Sequence, residues 1–432
     1  MMLFKKFGLL YIGLLLSFQF VASAAAVDIT TLLKSVEKQP QALIDTLAIE
    51  QGKAAVKKAY SPLFPKVYAI GSYEHYNSPT NLRPLPPTEV NIAAGESIPF
   101  SENIYRYGVQ ASVPIFIKEV FDTAKSLKAV AEKSQIKRDF TIIANQSAVL
   151  SLNSTLIYLS DLQRLIKQRI SSLRETEKIV EMGVRNGRLA EFELFKIQKL
   201  MQTLDLQLND VSTRKNTALR KLMEITGMSD LQGPVPMELV RELPTKGAYM
   251  ELALLKRDIE AAGHELKAKK DYLFPKLYLQ GFYTGNIGEA YNTGDRIDRS
   301  YAKVAINLTF PLFDRTSHED EQIARIKLKK AKAQYKKLRQ ELDAKAGEIR
   351  RQAPIIRYAI EKAKKNIDIS RQILEISKVA YQNRRMTIED YLQYEVDVLE
   401  AETRLSFWKD QQWRLVAQQA VLFGQNLIGV VQ

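Results

Sequence analysis

The 432-residue chain contains no cysteine. Disulfides, thiolate metal sites and a cysteine nucleophile are excluded, and so is the thiol that carries a bacterial lipoprotein acyl chain. Histidine is almost as scarce. His75, His264 and His318 stand far apart in the sequence, which speaks against a histidine-built metal or catalytic cluster. Phosphate-cradling glycine motifs and the HExxH zinc pattern are missing too. No enzyme activity, cofactor or metal is therefore expected. After the N-terminal segment no uninterrupted run reaches the ~18 apolar residues a membrane helix requires. A bilayer crossing would have to be made by strands.

Apolar residues make up 46% of the chain, enough for a packed structure. The length suits two or three ordinary domains or a single elongated one. The net charge of +14 raises the possibility of a nucleic-acid partner. The basic residues, however, are interleaved with acids, as in AKAQYKKLRQELDAKAGEIRR, and read as solvated helix surface. No nucleic acid is expected. At the N-terminus Lys5 and Lys6 precede an apolar run from Phe7 to Phe20 and then small residues ending in Ala24-Ala25-Ala26. Residues 1–26 are expected to be a secretory signal peptide.

The chain then repeats itself. Leu63, Phe64, Pro65, Lys66, Tyr68, Gly71 and Tyr73 return 210 positions later as Leu273, Phe274, Pro275, Lys276, Tyr278, Gly281 and Tyr283. A second pair, Val113-Pro114-Ile115-Phe116 and Phe310-Pro311-Leu312-Phe313, is offset by 197. The same offset holds from Gly227 to Gly424. Ahead of Pro311, Ala302, Val304, Ile306, Leu308 and Phe310 alternate with Tyr301, Lys303, Ala305, Asn307 and Thr309. Ahead of Pro114, Tyr105, Tyr107, Val109, Ala111 and Val113 alternate in the same phase. Period-two alternation predicts strands with one apolar and one polar face. That pattern suits a soluble sheet or a barrel with lipid outside and water inside. The stretches 77–103 and 286–300 are polar and turn-rich and are expected to be loops.

From Ile115 to Met182, and again from Ile355 to Phe423, there is neither glycine nor proline. A helix of nearly seventy residues would be roughly 100 Å long, wider than any ordinary globular core. Such helices must pack along their length. Leu194, Ile197, Met201, Leu204, Leu208, Val211, Ala218, Leu222 and Ile225 fall at heptad spacing, interrupted only by Lys215, and ask for a coiled-coil partner. The expected organisation is a first structural repeat over 27–227, with strands near 66–77 and 104–114 and long helices over 115–226. A connector follows at 228–246, then a second repeat over 247–432, with strands near 276–286 and 300–311 and long helices over 312–424.

These features, taken in order and twice over, resemble the TolC-like outer-membrane efflux proteins. The resemblance is carried by the paired LFPK motifs, the VPIF and FPLF exits, and two distal turns, EMGVRNGRLAEFELFKIQ (181–198) and SKVAYQNRRMTIEDYLQYEVDVLEAE (377–402). It implies a mainly α fold with a membrane β-barrel. A duplicated β-hairpin and very long coiled-coil helices would assemble as a homotrimer with a 12-stranded barrel and a periplasmic α-helical tunnel. Pro65, Pro114, Pro275 and Pro311 would mark helix–strand junctions, where proline suits neither element. The implied function is passive export through the outer membrane, fed by a periplasmic adaptor (membrane fusion) protein and an inner-membrane pump. Drug or small-molecule efflux is the first expectation and type I protein secretion the second. A secreted periplasmic coiled-coil protein without a pore is the alternative of another class.

The resemblance also points to a periplasmic gate. Asp390 would line the constriction as one of three carboxylates around the axis, favouring cations. Gln393 replaces a second acid the family often carries. Tyr381 and Glu193 would tie the closed tip, and Arg384 and Arg385 could add ionic latches. Adaptor docking is expected at the first turn, Asn186, Gly187, Arg188 and Leu189, and at the second, Asn383 and Met386.

Overall fold

The computed structural model describes residues 28–86, 91, 94–244, 246–383 and 385–432. The expected signal peptide lies outside the described residues. A short helix α1 (Ile29–Ser35) leads into α2 (Pro40–Tyr60), which starts on a proline whose missing N–H costs nothing at that position. Strands β1 (Lys66–Asn81) and β2 (Phe100–Phe116) follow, then helices α3 (Lys118–Arg185) and α4 (Glu191–Thr226). The same order recurs as α5 (Met250–Lys270), β3 (Lys276–Glu289), β4 (Arg296–Thr309), α6 (Arg315–Gln382) and α7 (Ile388–Phe423). The lengths agree: α2 and α5 have 21 residues each, α3 and α6 68, α4 and α7 36. Both α4 and α7 end on a left-handed glycine, Gly227 (φ 68°) and Gly424 (φ 65°), the conformation glycine adopts without strain.

The strands form one antiparallel sheet in the order β1-β2-β3-β4. Register pairs like with like across it. Val109 faces Ala69 on one side and Tyr283 on the other, and Tyr283 faces Ala302. One face is therefore apolar along its whole width, and it is exposed in the single chain: Val304, Ile306 and Leu308 are 76%, 69% and 67% accessible. The other face carries Gln110, Gln280, Lys303 and Asn307, with Asn307 Nδ2 donating to Gln280 Oε1 at 2.7 Å. Gly285 sits beneath the ring of its partner Tyr107, where any β-carbon would collide.

The strands outrun their expected ends on the loop side, whereas β4 stops at Thr309, short of the expected 311. β1 passes Pro79 to Asn81, with a register irregularity between His75 and Thr80 that spares the proline a ladder bond. β2 runs through Pro114, which still pairs with Tyr278, and the ladder slips only between Pro114 and Phe116. Pro114 is thus a strand residue and not a junction; Ile117 caps α3. Pro65 and Pro275 do stand between a 3₁₀ turn and a strand, and Pro311 stands between β4 and α6. The expected loop 286–300 shrinks to the six residues between Glu289 and Arg296.

The long helices pack lengthwise. α3 touches α2, α4, α5 and α7, and α6 touches α5 and α7. The heptad series on α4 is the seam with α3: Ile197, Leu204 and Val211 are buried against Leu159, Ile166, Ile170, Leu173 and Val180. Lys215, the break in that series, donates to Gln163 Oε1 on α3 at 3.1 Å. The second glycine- and proline-free run is not one helix; it breaks at the turn after Gln382, while α6 carries Gly347 and Pro354 within it. A stretch of α3 is apolar enough to cross a membrane by length and composition. Half of it is buried among neighbouring helices, as in any core helix. The connector is also packed. Asn153 of α3 clamps Val235 from both sides, at 2.7 and 2.8 Å, and Leu239 bridges to Val431.

Candidate gate and docking tip

The turns α3–α4 and α6–α7 each span five residues, and each is built by the last carbonyls of the incoming helix. In the first, Asn186 N–H donates to Met182 O and Gly187 N–H to Val184 O at 2.9 Å. Gly187 has φ +68° and open space around it, so backbone conformation alone demands glycine there. Arg188 and Leu189 both donate to Gly183 O, and the Leu189 side chain lies over Gly183. Met182, Leu189, Phe192 and Phe195 are exposed around this turn. In the second turn Asn383 N–H and its Nδ2 both donate to Val379 O, and Arg385 N–H donates to Ala380 O at 2.9 Å. Arg384 lies outside the described residues. Arg385 is exposed and Met386 half-buried.

Thr387 opens α7 as its N-cap. Its hydroxyl accepts from Asp390 N–H at 3.2 Å and donates to Asp390 Oδ2 at 2.6 Å. The candidate gate acid is therefore the third residue of α7, exposed and held by its own N-cap. Gln393, one turn on, donates to Asp397 Oδ1 at 3.0 Å. Lys196 of α4 lies 3.2 Å from Glu389 of α7 and 3.8 Å from Glu193 on its own helix, so one cation bridges the two hairpins.

Tyr381 stacks on Tyr391, ring centroids 5.1 Å apart and 10° from parallel. Burial first, then the Tyr391 and Glu193 charges, push the Tyr381 hydroxyl above the ordinary tyrosine range. Among the described residues no hydrogen bond joins Tyr381 to Glu193, whose Oε2 is buried without a partner. Beneath this pair lies a group that sequence reasoning missed. Arg169 of α3 and Glu395 of α7 form an ion pair only 4% and 7% exposed. Tyr391 Oη and Ser172 Oγ each donate to Glu395 Oε1 at 2.7 Å, and Arg169 Nη2 donates to Leu392 O. Burial lowers the guanidinium to about 10, still charged at neutral pH. The signal was present in the sequence as a lone charge in each apolar stripe, Arg169 between Ile166 and Ile170, Glu395 beside Leu392.

The structure thus brings together Glu193, Tyr381 and Asp390 at one end of the bundle. Pro65 and Pro275 stand at the other. Among the described residues no three His, Asp or Glu side chains gather as a metal site.

No protein-family model and no curated protein matches the chain. Solved structures do. An outer-membrane channel of Campylobacter jejuni, CmeC, superposes with a TM-score of 0.74 at 17% identity, over 92% of this chain and 85% of its own. The Vibrio cholerae outer-membrane protein VceC gives 0.76 at 12% identity, over 92% and 96%. The Neisseria gonorrhoeae outer-membrane channel MtrE, in its open state, gives 0.74 at 15% identity, over 92% and 89%. The chain has the fold of the TolC-like outer-membrane channels.

Proposed function

We propose that this chain is one subunit of a trimeric duct that crosses the outer membrane and the periplasm. It would pass to the exterior small molecules delivered by an inner-membrane pump through a periplasmic adaptor. The observation that carries this reading is the sheet. Its edge strands β1 and β4 each leave one side unpaired, one face is apolar and exposed, and the other is polar. An open edge and a greasy face cannot both stay in water. Closure with further copies removes both, and an even-stranded barrel in lipid is the arrangement that uses both faces. Helices of 68 residues then extend roughly 100 Å from the barrel. Among the neighbours, outer-membrane channels of C. jejuni and N. gonorrhoeae share this build.

At the tip, Asp390 from three subunits would ring the axis, with Glu193 and Tyr381 holding the hairpins closed. The turn at Gly187 would meet the adaptor through the apolar side chains around it. Purification from detergent-extracted outer membranes, cross-linking and planar-bilayer recording test the whole reading. A trimer giving single-channel steps is expected; a soluble monomer without conductance would end it.

A further inference from the structure

We infer that the polar face of the sheet is an anion-selecting wall, which biases the duct toward negatively charged solutes. This rests on the outer-membrane duct reading, since only a closed barrel turns that face toward a water-filled bore.

Register places five basic side chains on this face, and three of them stand clear of any carboxylate at different heights. Lys66 stands opposite Ser112, Lys303 opposite Phe282, and Arg299 opposite Asn286. Following the paired rows, Lys303 lies about 7 Å and Arg299 about 20 Å along the strands from Lys66, at ~3.4 Å per residue. Within the paired rows from Lys66 to Glu74, Glu74 is the one carboxylate on this face, and it is already taken. Arg106 Nε donates to Glu74 Oε2 at 2.9 Å, and its Nη1 donates to Asn286 Oδ1. Lys276, just below, is held by Glu119 at 2.9 Å. Lys66, Arg299 and Lys303 are exposed, and among the described residues none has a carboxylate partner. Their charge is left for whatever passes.

Threefold closure turns them into three stacked basic rings. Rings of Lys and Arg favour anions in a pore, and low-dielectric walls concentrate their field. A solution of physiological ionic strength screens over about 8 Å, so the bias grows as salt falls. The rings sit at the opposite end of the duct from Asp390, so each end sets its own preference. Asp390 acts on what enters, and the barrel wall acts on what leaves.

The test is the zero-current potential of the reconstituted protein across a KCl gradient, at low and at high ionic strength. The double variant Lys303→Glu with Arg299→Glu is compared with the wild type. Its chloride-to-potassium permeability ratio is expected to fall at least about threefold at low salt, with the difference shrinking at high salt. Lys303→Arg with Arg299→Lys should keep the wild-type ratio. An unchanged ratio in the charge-reversed protein overturns the inference while leaving the duct intact. No conductance from the wild type overturns the duct reading, and the inference with it. Should the reversed protein fail to assemble, Lys303→Cys labelled after assembly with an anionic thiol reagent gives the same readout, because the chain has no other cysteine. A ratio unmoved by that label is again a refutation.

Discussion

At the residue scale the chain concentrates its cost in one place. Arg169 and Glu395 are taken out of water between α3 and α7 and repaid only by each other, Tyr391, Ser172 and a backbone carbonyl. Removing one partner leaves the other charge buried and alone. Glu395→Gln is expected to destabilise the protein by about 3–5 kcal/mol, and Arg169→Met with Glu395→Leu to recover most of the loss; denaturant unfolding of the three proteins checks it. Tyr381 gives a pH signature. Its raised pKa means the folded state keeps the phenol neutral where the unfolded chain ionises it. The stability it supports is intact below the ordinary tyrosine value of 10.0 and is lost as pH climbs through the raised value. Tyr381→Phe should flatten that alkaline loss in a pH series of unfolding curves. A slope equal to that of the wild type would assign the loss elsewhere.

At the element scale, Asp390 joins a helix start to a proposed gate, and a single substitution confuses the two. The Asp390 carboxylate accepts from the Thr387 hydroxyl, so Asp390→Ala removes that hydrogen bond, worth about 1 kcal/mol, together with the charge, while the Thr387 cap on the backbone N–H of residue 390 remains. Asp390→Gln keeps a hydrogen-bonding group at the third position while removing the charge. Thermal unfolding should separate the two variants, whereas cation preference in bilayers should fall in both. Equal unfolding would show that this hydrogen bond contributes nothing. Much of the element pattern was legible beforehand. The alternation of Val304, Ile306 and Leu308 against Lys303, Ala305 and Asn307 dictated a strand. The heptad series from Leu194 to Ile225 dictated a lengthwise helix partner. Strand ends were not legible, because prolines at 79 and 114 read as breaks. In the sheet both are accommodated where the ladder is irregular. The Arg169–Glu395 pair was hidden for another reason: a charge in an apolar stripe shows a need, but its partner lies on another helix far along the chain.

At the scale of the whole molecule, the proposed barrel gives the two faces of the sheet different solvents to satisfy. In the proposed barrel an arginine on the apolar face would be buried in hydrocarbon, while one on the opposite face would meet water. Val304→Arg should cost about 2–4 kcal/mol near the bilayer centre and its neighbour Ala305→Arg close to nothing, measured as refolding into bilayers from denaturant. Similar losses at both positions would contradict the assignment of faces. The proposed gate and docking residues belong to this scale as well. Glu193, Tyr381 and Asp390 can be placed within one chain, yet the joint action proposed for them would depend on neighbouring copies that the sequence of a single subunit does not contain.

The helices also come in matched pairs, 68 residues with 68 and 36 with 36. Such a molecule carries its own ruler, marked twice. Shortening one leg alone would leave its tip stranded above the other and tear the seam between them. A change of reach therefore requires coordinated edits in both halves, made in whole heptads so that every stripe still meets its neighbour. The reach of the proposed duct is thus written into this chain as a quantity that cannot drift one residue at a time.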